Sequence, residues 1–116
     1  MVHEQIPNRF RPVPFYFLTT IDPADYTKEA ICSAMQRIKD FGYGGIVLFN
    51  KPPLGFDAEG YLSDAWFELT GHFIEAARQL ELQLWINDGF DYPPGDAAAS
   101  SLKNANPALF GRFKRI

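Results

Sequence analysis

The run Gly42-Tyr43-Gly44-Gly45-Ile46-Val47-Leu48-Phe49 constrains the fold most. A helix-stopping glycine leads within a few residues into a stretch with no polar side chain. A wholly apolar strand implies cover on both faces, the situation of a parallel strand in an α/β protein. The residues before this run have helical spacing. Ala30, Ile31, Ala34, Met35, Ile38 and Phe41 recur at three- and four-residue steps, predicting a helix near 27–41. Asp22-Pro23 offers a helix start of its own just upstream, with Asp25 in its first turn.

The same grammar repeats on either side. Phe15 to Thr20 is aromatic and then β-branched, a strand composition. Residues 1–14 hold three prolines and no periodicity, and read as an extended lead-in. Asn50 to Leu62 is a long loop, rich in Pro, Gly and acids. Ser63 is a candidate N-cap, and Trp66, Phe67, Leu69, Phe73, Ile74, Ala77 and Leu80 predict a second helix near 63–80. Trp66 and Phe67 are assigned to packing. Leu82–Asn87 is a third strand, with Leu82, Leu84 and Ile86 on one face and Gln83, Trp85 and Asn87 on the other.

The order strand, helix, strand, helix, strand predicts an α/β fold: a βαβαβ parallel sheet with right-handed crossovers. Three strands with free edges make a thin domain. The pattern suits the first three strands of an incomplete TIM (β/α)8 barrel, a fold of about 250 residues. Residues 15–116 would form the partial barrel, with strands near 15–20, 45–49 and 82–87. A small, open three-layer sandwich is the alternative. The tail Ala108–Ile116 is amphipathic and could begin a third helix.

Charge and composition narrow the partners. A net charge of −3 without a basic run gives nucleic-acid binding no electrostatic support. No apolar stretch approaches the roughly 20 residues that span a bilayer. The N-terminus lacks an apolar signal core, so the chain as given is expected to be cytoplasmic. The single Cys32 rules out an internal disulfide and falls within a helical pattern. His3 and His72 are too far apart in the chain to suggest a metal motif. Gly42-x-Gly44-Gly45 precedes a strand, where a phosphate loop would follow one. No Gly-x-Ser-x-Gly elbow is present.

Ligands of α/β proteins bind at the carboxyl ends of the strands. The candidates therefore lie after the second and third strands. Asp88 ends the third strand before a glycine, and suits hydroxyl binding, cation binding, acid–base work, or a turn-forming cap. Asn87 and Asp91 flank it, and Trp85, Phe90 and Tyr92 offer ring faces for stacking beside it. Asn50 and Lys51 follow the second strand and could touch a polar ligand or a carboxylate. Asp57 and Glu59 are expected to face solvent.

Several of these motifs carry a family likeness. The chain resembles the opening of the catalytic barrel in a group of bacterial glycoside hydrolases that includes α-L-rhamnosidases. An aromatic strand comes first. Then come Lys39-Asp40-Phe41-Gly42-Tyr43-Gly44-Gly45, the run Tyr61-Leu62-Ser63-Asp64-Ala65-Trp66-Phe67-Glu68-Leu69, and Trp85-Ile86-Asn87-Asp88-Gly89 with Tyr92-Pro93-Pro94-Gly95. Many members have His and Arg after strand two, where this chain has Phe49-Asn50-Lys51. Many have Asp-Glu after strand three, where this chain has Asp88-Gly89, so it resembles a divergent branch. The resemblance implies a carbohydrate substrate and hydrolysis of O-glycosidic bonds in a longer parent chain containing the remainder of the barrel. It implies no cofactor, with a divalent cation such as calcium as an option. A glycosidase needs two carboxyls about 5–5.5 Å or 6.5–9.5 Å apart. This segment can supply part of that pair, so the chain alone is expected to be catalytically silent. A free-standing sugar-binding module, and a remnant that dimerises through its sheet edges, are the competing readings.

Overall fold

A computed structural model of the chain describes residues 6–19, 22–52, 54–57 and 60–89. Three strands form one parallel sheet in the order β1-β2-β3: β1 Phe15–Leu18, β2 Gly45–Asn50 and β3 Gln83–Ile86. Two helices connect them, α1 Lys28–Asp40 and α2 Asp64–Leu80. A short 3-10 turn, Pro23–Tyr26, precedes α1.

The helix boundaries have local causes. Thr27 caps α1, its hydroxyl accepting from the Ala30 amide at 3.1 Å, and Ser63 caps α2 by accepting from the Trp66 amide at 3.4 Å. Each helix ends in the same pair of backbone bonds. In α1, Tyr43 N–H donates to Ile38 and Gly42 N–H to Lys39, with Gly42 left-handed at φ 89°. In α2, Leu82 N–H donates to Ala77 and Glu81 N–H to Arg78. Here Glu81 takes the left-handed position, at φ 56°. A glycine is free there, whereas Glu81 carries a Cβ against the following carbonyl. α2 therefore stops without the glycine that ends α1.

Both helices cover the same face of the sheet. Register pairs Phe15 with Val47 and Val47 with Trp85, and Tyr16 with Leu48 and Leu48 with Ile86. Period-two alternation then puts Tyr16, Leu18, Ile46, Leu48, Leu82 and Leu84 on one side. Leu18, Ile46, Leu48 and Leu82 form a single buried core with Ile31 and Met35 of α1 and Leu69, Phe73, Ala76 and Ala77 of α2. The rings of Tyr16 and Phe73 meet edge to face at 5.6 Å.

The stretch before β1 is not wholly extended. Asn8–Phe10 forms a 3-10 turn strapped across the amino ends of β2 and β3. Gln83 Nε2 donates to the Asn8 carbonyl at 3.0 Å, the Gly44 backbone N–H donates to the Pro12 carbonyl, and Asn8 Nδ2 donates to the Glu81 carbonyl. This explains the Gly44-Gly45 pair. A Cβ on Gly44 would overlap the Asn8 carbonyl oxygen, and one on Gly45 the Gln83 carbonyl oxygen.

Two residues assigned to apolar packing lie elsewhere. Phe41 is the α1 C-cap and points into solvent. Phe67 touches the edge of Trp66 but is 56% exposed, because it lies on the flank of α2 turned away from α1. Trp66 is buried. No helix among the described residues is long and apolar enough to cross a membrane.

Candidate functional site

The face of the sheet that no helix of the described residues covers is aromatic. Phe15, Val47 and Trp85 form one row across it, and Phe17 and Phe49 the next, nearer the carboxyl ends. The backbone N–H of Asn87 donates to Leu48 at 2.9 Å, so pairing of β2 with β3 runs one residue past the assigned strand. Asn87 thereby shares the Phe17–Phe49 end of the sheet. Phe49 is buried between neighbours, edge-on to Phe15 at 5.8 Å and tilted against Phe17 at 5.3 Å. Phe15, Phe17 and Trp85 remain 62%, 45% and 58% exposed.

A hollow of about 340 Å³ opens at the carboxyl end of this face, lined by Phe15, Phe17, Phe49, Lys51 and Asn87. Its floor is three aromatic rings, and its rim carries one amide and one ammonium. That is the usual composition of a small-molecule site: apolar walls with a few polar groups that fix orientation. A second hollow, about 380 Å³, lies on the opposite side between the starts of α1 and α2. It is lined in part by Tyr26, Phe56 and His72. The aromatic hollow is the better candidate because strand ends converge on it.

The residues singled out from the sequence divide between the two faces. Lys51 and Asn87 line the hollow. Asn50 does not, and its expected ligand contact is corrected. By alternation it belongs to the helix side, where it is 5% exposed. Its amide donates to the Phe56 carbonyl at 2.9 Å and its Oδ1 accepts from the Phe56 amide at 2.8 Å. Asn50 is thus a clamp that folds the β2–α2 loop back on itself. Gly55 packs so closely under it that a Cβ would lie 2.5 Å from Asn50 Oδ1 and 2.8 Å from the Leu18 carbonyl oxygen.

Trp85 lies on the aromatic face in the row of Phe15, at the far edge of the sheet, and is not among the residues lining the hollow. Its indole N–H donates to Gln83 Oε1 at 3.2 Å. Asp88 is exposed in a bend just past the strand, followed by Gly89 at φ 109°. The Asn87 side-chain amide donates to the Asp88 carbonyl at 3.4 Å, bracing this bend from within. Asp57 is exposed and caps a local turn, its Oδ1 accepting from the Gly60 amide at 2.8 Å. Glu59, Phe90, Asp91 and Tyr92 lie outside the described residues.

Phe15, Phe17 and Phe49 were read from the sequence as strand residues only. Their spacing carried the missing signal: 15 and 17 share one side of β1, and register sets Phe49 beside Phe17. Among the described residues no group of three or more His, Cys, Asp and Glu side chains could hold a metal ion. Comparison of the chain with protein-family models, with curated proteins and with solved structures found no match.

Proposed function

We propose that this chain forms part of a carbohydrate site of the kind a glycoside-hydrolase (β/α) barrel builds at the carboxyl ends of its strands. The observation that carries the reading is the hollow floored by Phe15, Phe17 and Phe49 and rimmed by Lys51 and Asn87, one residue from the exposed Asp88. A sugar ring has an apolar C–H face, which suits the phenyl floor. Its hydroxyls suit the Asn87 amide and the Asp88 carboxylate. Among the described residues, helices lie on one face only and the strands follow in sequential order, which agrees with the opening of a barrel whose interior is the aromatic face.

In this reading the segment binds and orients the sugar, and later strands of a longer parent supply the acids for hydrolysis of the O-glycosidic bond. The test is a calorimetric titration of the chain with a panel of neutral monosaccharides and their glycosides, L-rhamnose included. Saturable binding is expected. Loss of the Asp88 carboxylate in Asp88→Ala should weaken it roughly 10–100-fold, the worth of a hydrogen bond to a charged group. Asn87→Ala should weaken it less. Absence of saturable binding to every sugar, or binding indifferent to both substitutions, defeats the proposal. Release of free sugar from a glycoside by this chain alone would show that a complete carboxyl pair is already present.

A further inference from the structure

Among the described residues that line the aromatic hollow, Lys51 carries the one charge. In the carbohydrate reading the phenyl floor meets the apolar face of a sugar, and Asn87 and Asp88 meet its hydroxyls. A neutral sugar gives an ammonium no charge to meet. Lys51 therefore bears on which sugar the site takes.

The strand fixes where that ammonium stands. Val47 and Phe49 lie on the open face of β2, and the same alternation brings Lys51 to that side, where it lines the hollow. At about 3.3 Å per residue, its backbone lies roughly 6–7 Å beyond Phe49. Asn87 stands beside Phe49 on the neighbouring strand, since Leu48 pairs with Ile86 and the Asn87 N–H donates to the Leu48 carbonyl. The amide is thus level with the Phe17–Phe49 row, and the ammonium lies past its end. Asn50, between Phe49 and Lys51, turns to the helix side and holds Phe56.

We infer that the sugar is a uronic acid whose carboxylate pairs with the Lys51 ammonium. The inference rests on the carbohydrate reading and narrows it. A pyranose laid on the floor by its C–H face points its ring substituents sideways, toward the rim. In a hexuronate one of those substituents is the carboxylate on C5, and the others are hydroxyls. One ring then meets the floor, the ammonium and the Asn87 amide together. A single ammonium matches a single negative charge. A sugar phosphate carries about −1.5 to −2 and calls for more cationic donors than this lining holds. The chain's net charge of −3 gives anions no general attraction, so a preference for the acid reports the local cation.

Calorimetric titration of the full chain at low salt tests this. It compares the methyl glycosides of glucuronate and galacturonate with those of glucose and galactose, and adds glucose 6-phosphate. Each uronoside is expected to bind about 5-fold more tightly than its neutral counterpart, the upper range for an exposed ion pair. The preference should vanish in Lys51→Gln and persist in Lys51→Arg. Lys51 is exposed, so both variants should melt as the wild type does. Neutral glycosides bound as tightly as the uronosides, or a preference that survives Lys51→Gln, overturn the inference and leave the carbohydrate reading standing. So does a preference lost in Lys51→Arg as well, which would remove charge as its cause. Tighter binding of glucose 6-phosphate than of the glucuronoside overturns it in favour of a phosphate. No saturable binding by any of these sugars defeats the carbohydrate reading and the inference with it.

Discussion

The same three strands build two faces of opposite character from equally apolar residues. On one, Leu18, Ile46, Leu48 and Leu82 are closed over by α1 and α2. On the other, Phe15, Phe17 and Trp85 stand in the open, and only Phe49 is sheltered, by its own neighbours. Neighbouring residues of one strand thus do different work. The covered side holds the fold together. The open side contributes little to holding the described residues and is available for a ligand or for further strands. Apolar character alone does not separate a core from a site; what lies across from it does.

The sharpest break between the faces is expected at the largest side chains. Phe73→Ala empties a fully buried position at the centre of the covered face, and should cost about 3–5 kcal/mol in denaturant unfolding. Trp85→Ala on the open face should change stability by no more than about 0.5 kcal/mol. Equal losses would mean that the aromatic face is covered in solution, and the two-face account would fail.

Asn50 sharpens the comparison at the strand end. It belongs to the covered side, so Asn50→Ala should lower stability by about 1–3 kcal/mol, since it strands the Phe56 amide and carbonyl. Lys51→Ala, on the hollow side, should be close to neutral in the same unfolding measurement. A sugar-binding defect in Lys51→Ala with no stability loss, and the reverse pattern in Asn50→Ala, would separate their roles.

Helix ends offer a smaller contrast. Glu81→Gly should stabilise by about 0.4–1 kcal/mol, because φ 56° is free for glycine and strained for glutamate. Gly42→Ala should destabilise by a similar amount. Space is open around Gly42, so that cost is backbone strain alone. A thermal melt of each variant reads both.

The smallest expected effect is a pH dependence of the covered face. Burial pushes the Tyr16 hydroxyl above its ordinary value of 10, partly opposed by the Arg37 charge. The neutral phenol is therefore favoured in the fold. Its contribution is fully present below the unfolded value and is lost as pH rises through the raised folded one. Unfolding at alkaline pH should show this loss in the wild type and not in Tyr16→Phe. A Tyr16→Phe chain with the same alkaline slope would point to a different titrating group.

Much of the fold was legible in the residues. Period 3.6 in Ala30–Ile38 and in Trp66–Leu80, the cap Ser63 and the glycine stop at Gly42 are local signals, carried within a few turns of chain. The wholly apolar Ile46–Phe49 identified a parallel strand for the same kind of reason. Of the site, Lys51 and Asn87 were placed at the strand ends by sequence because strand ends are visible there, and both line the aromatic hollow. Asn50 was misjudged because neither its loop partner Phe56 nor its side of the sheet is visible until the strand's phase is known. The N-terminal turn at Asn8–Phe10 was read as extended because its partners, Glu81 and Gln83, are distant in the chain.

The sequence by itself determined the order of strands and helices, where each helix starts and stops, and which strand ends carry polar groups. These follow from bonds and side-chain spacing within a few residues. Only the tertiary structure decided that both helices share one face and that Phe15, Phe17 and Phe49 form a floor. It also decided that Phe67 and Ile74 face outward. Each of these depends on register between β1 and β2, or on which flank of α2 meets α1. Such pairings join residues far apart in the chain, and local propensity carries no record of them.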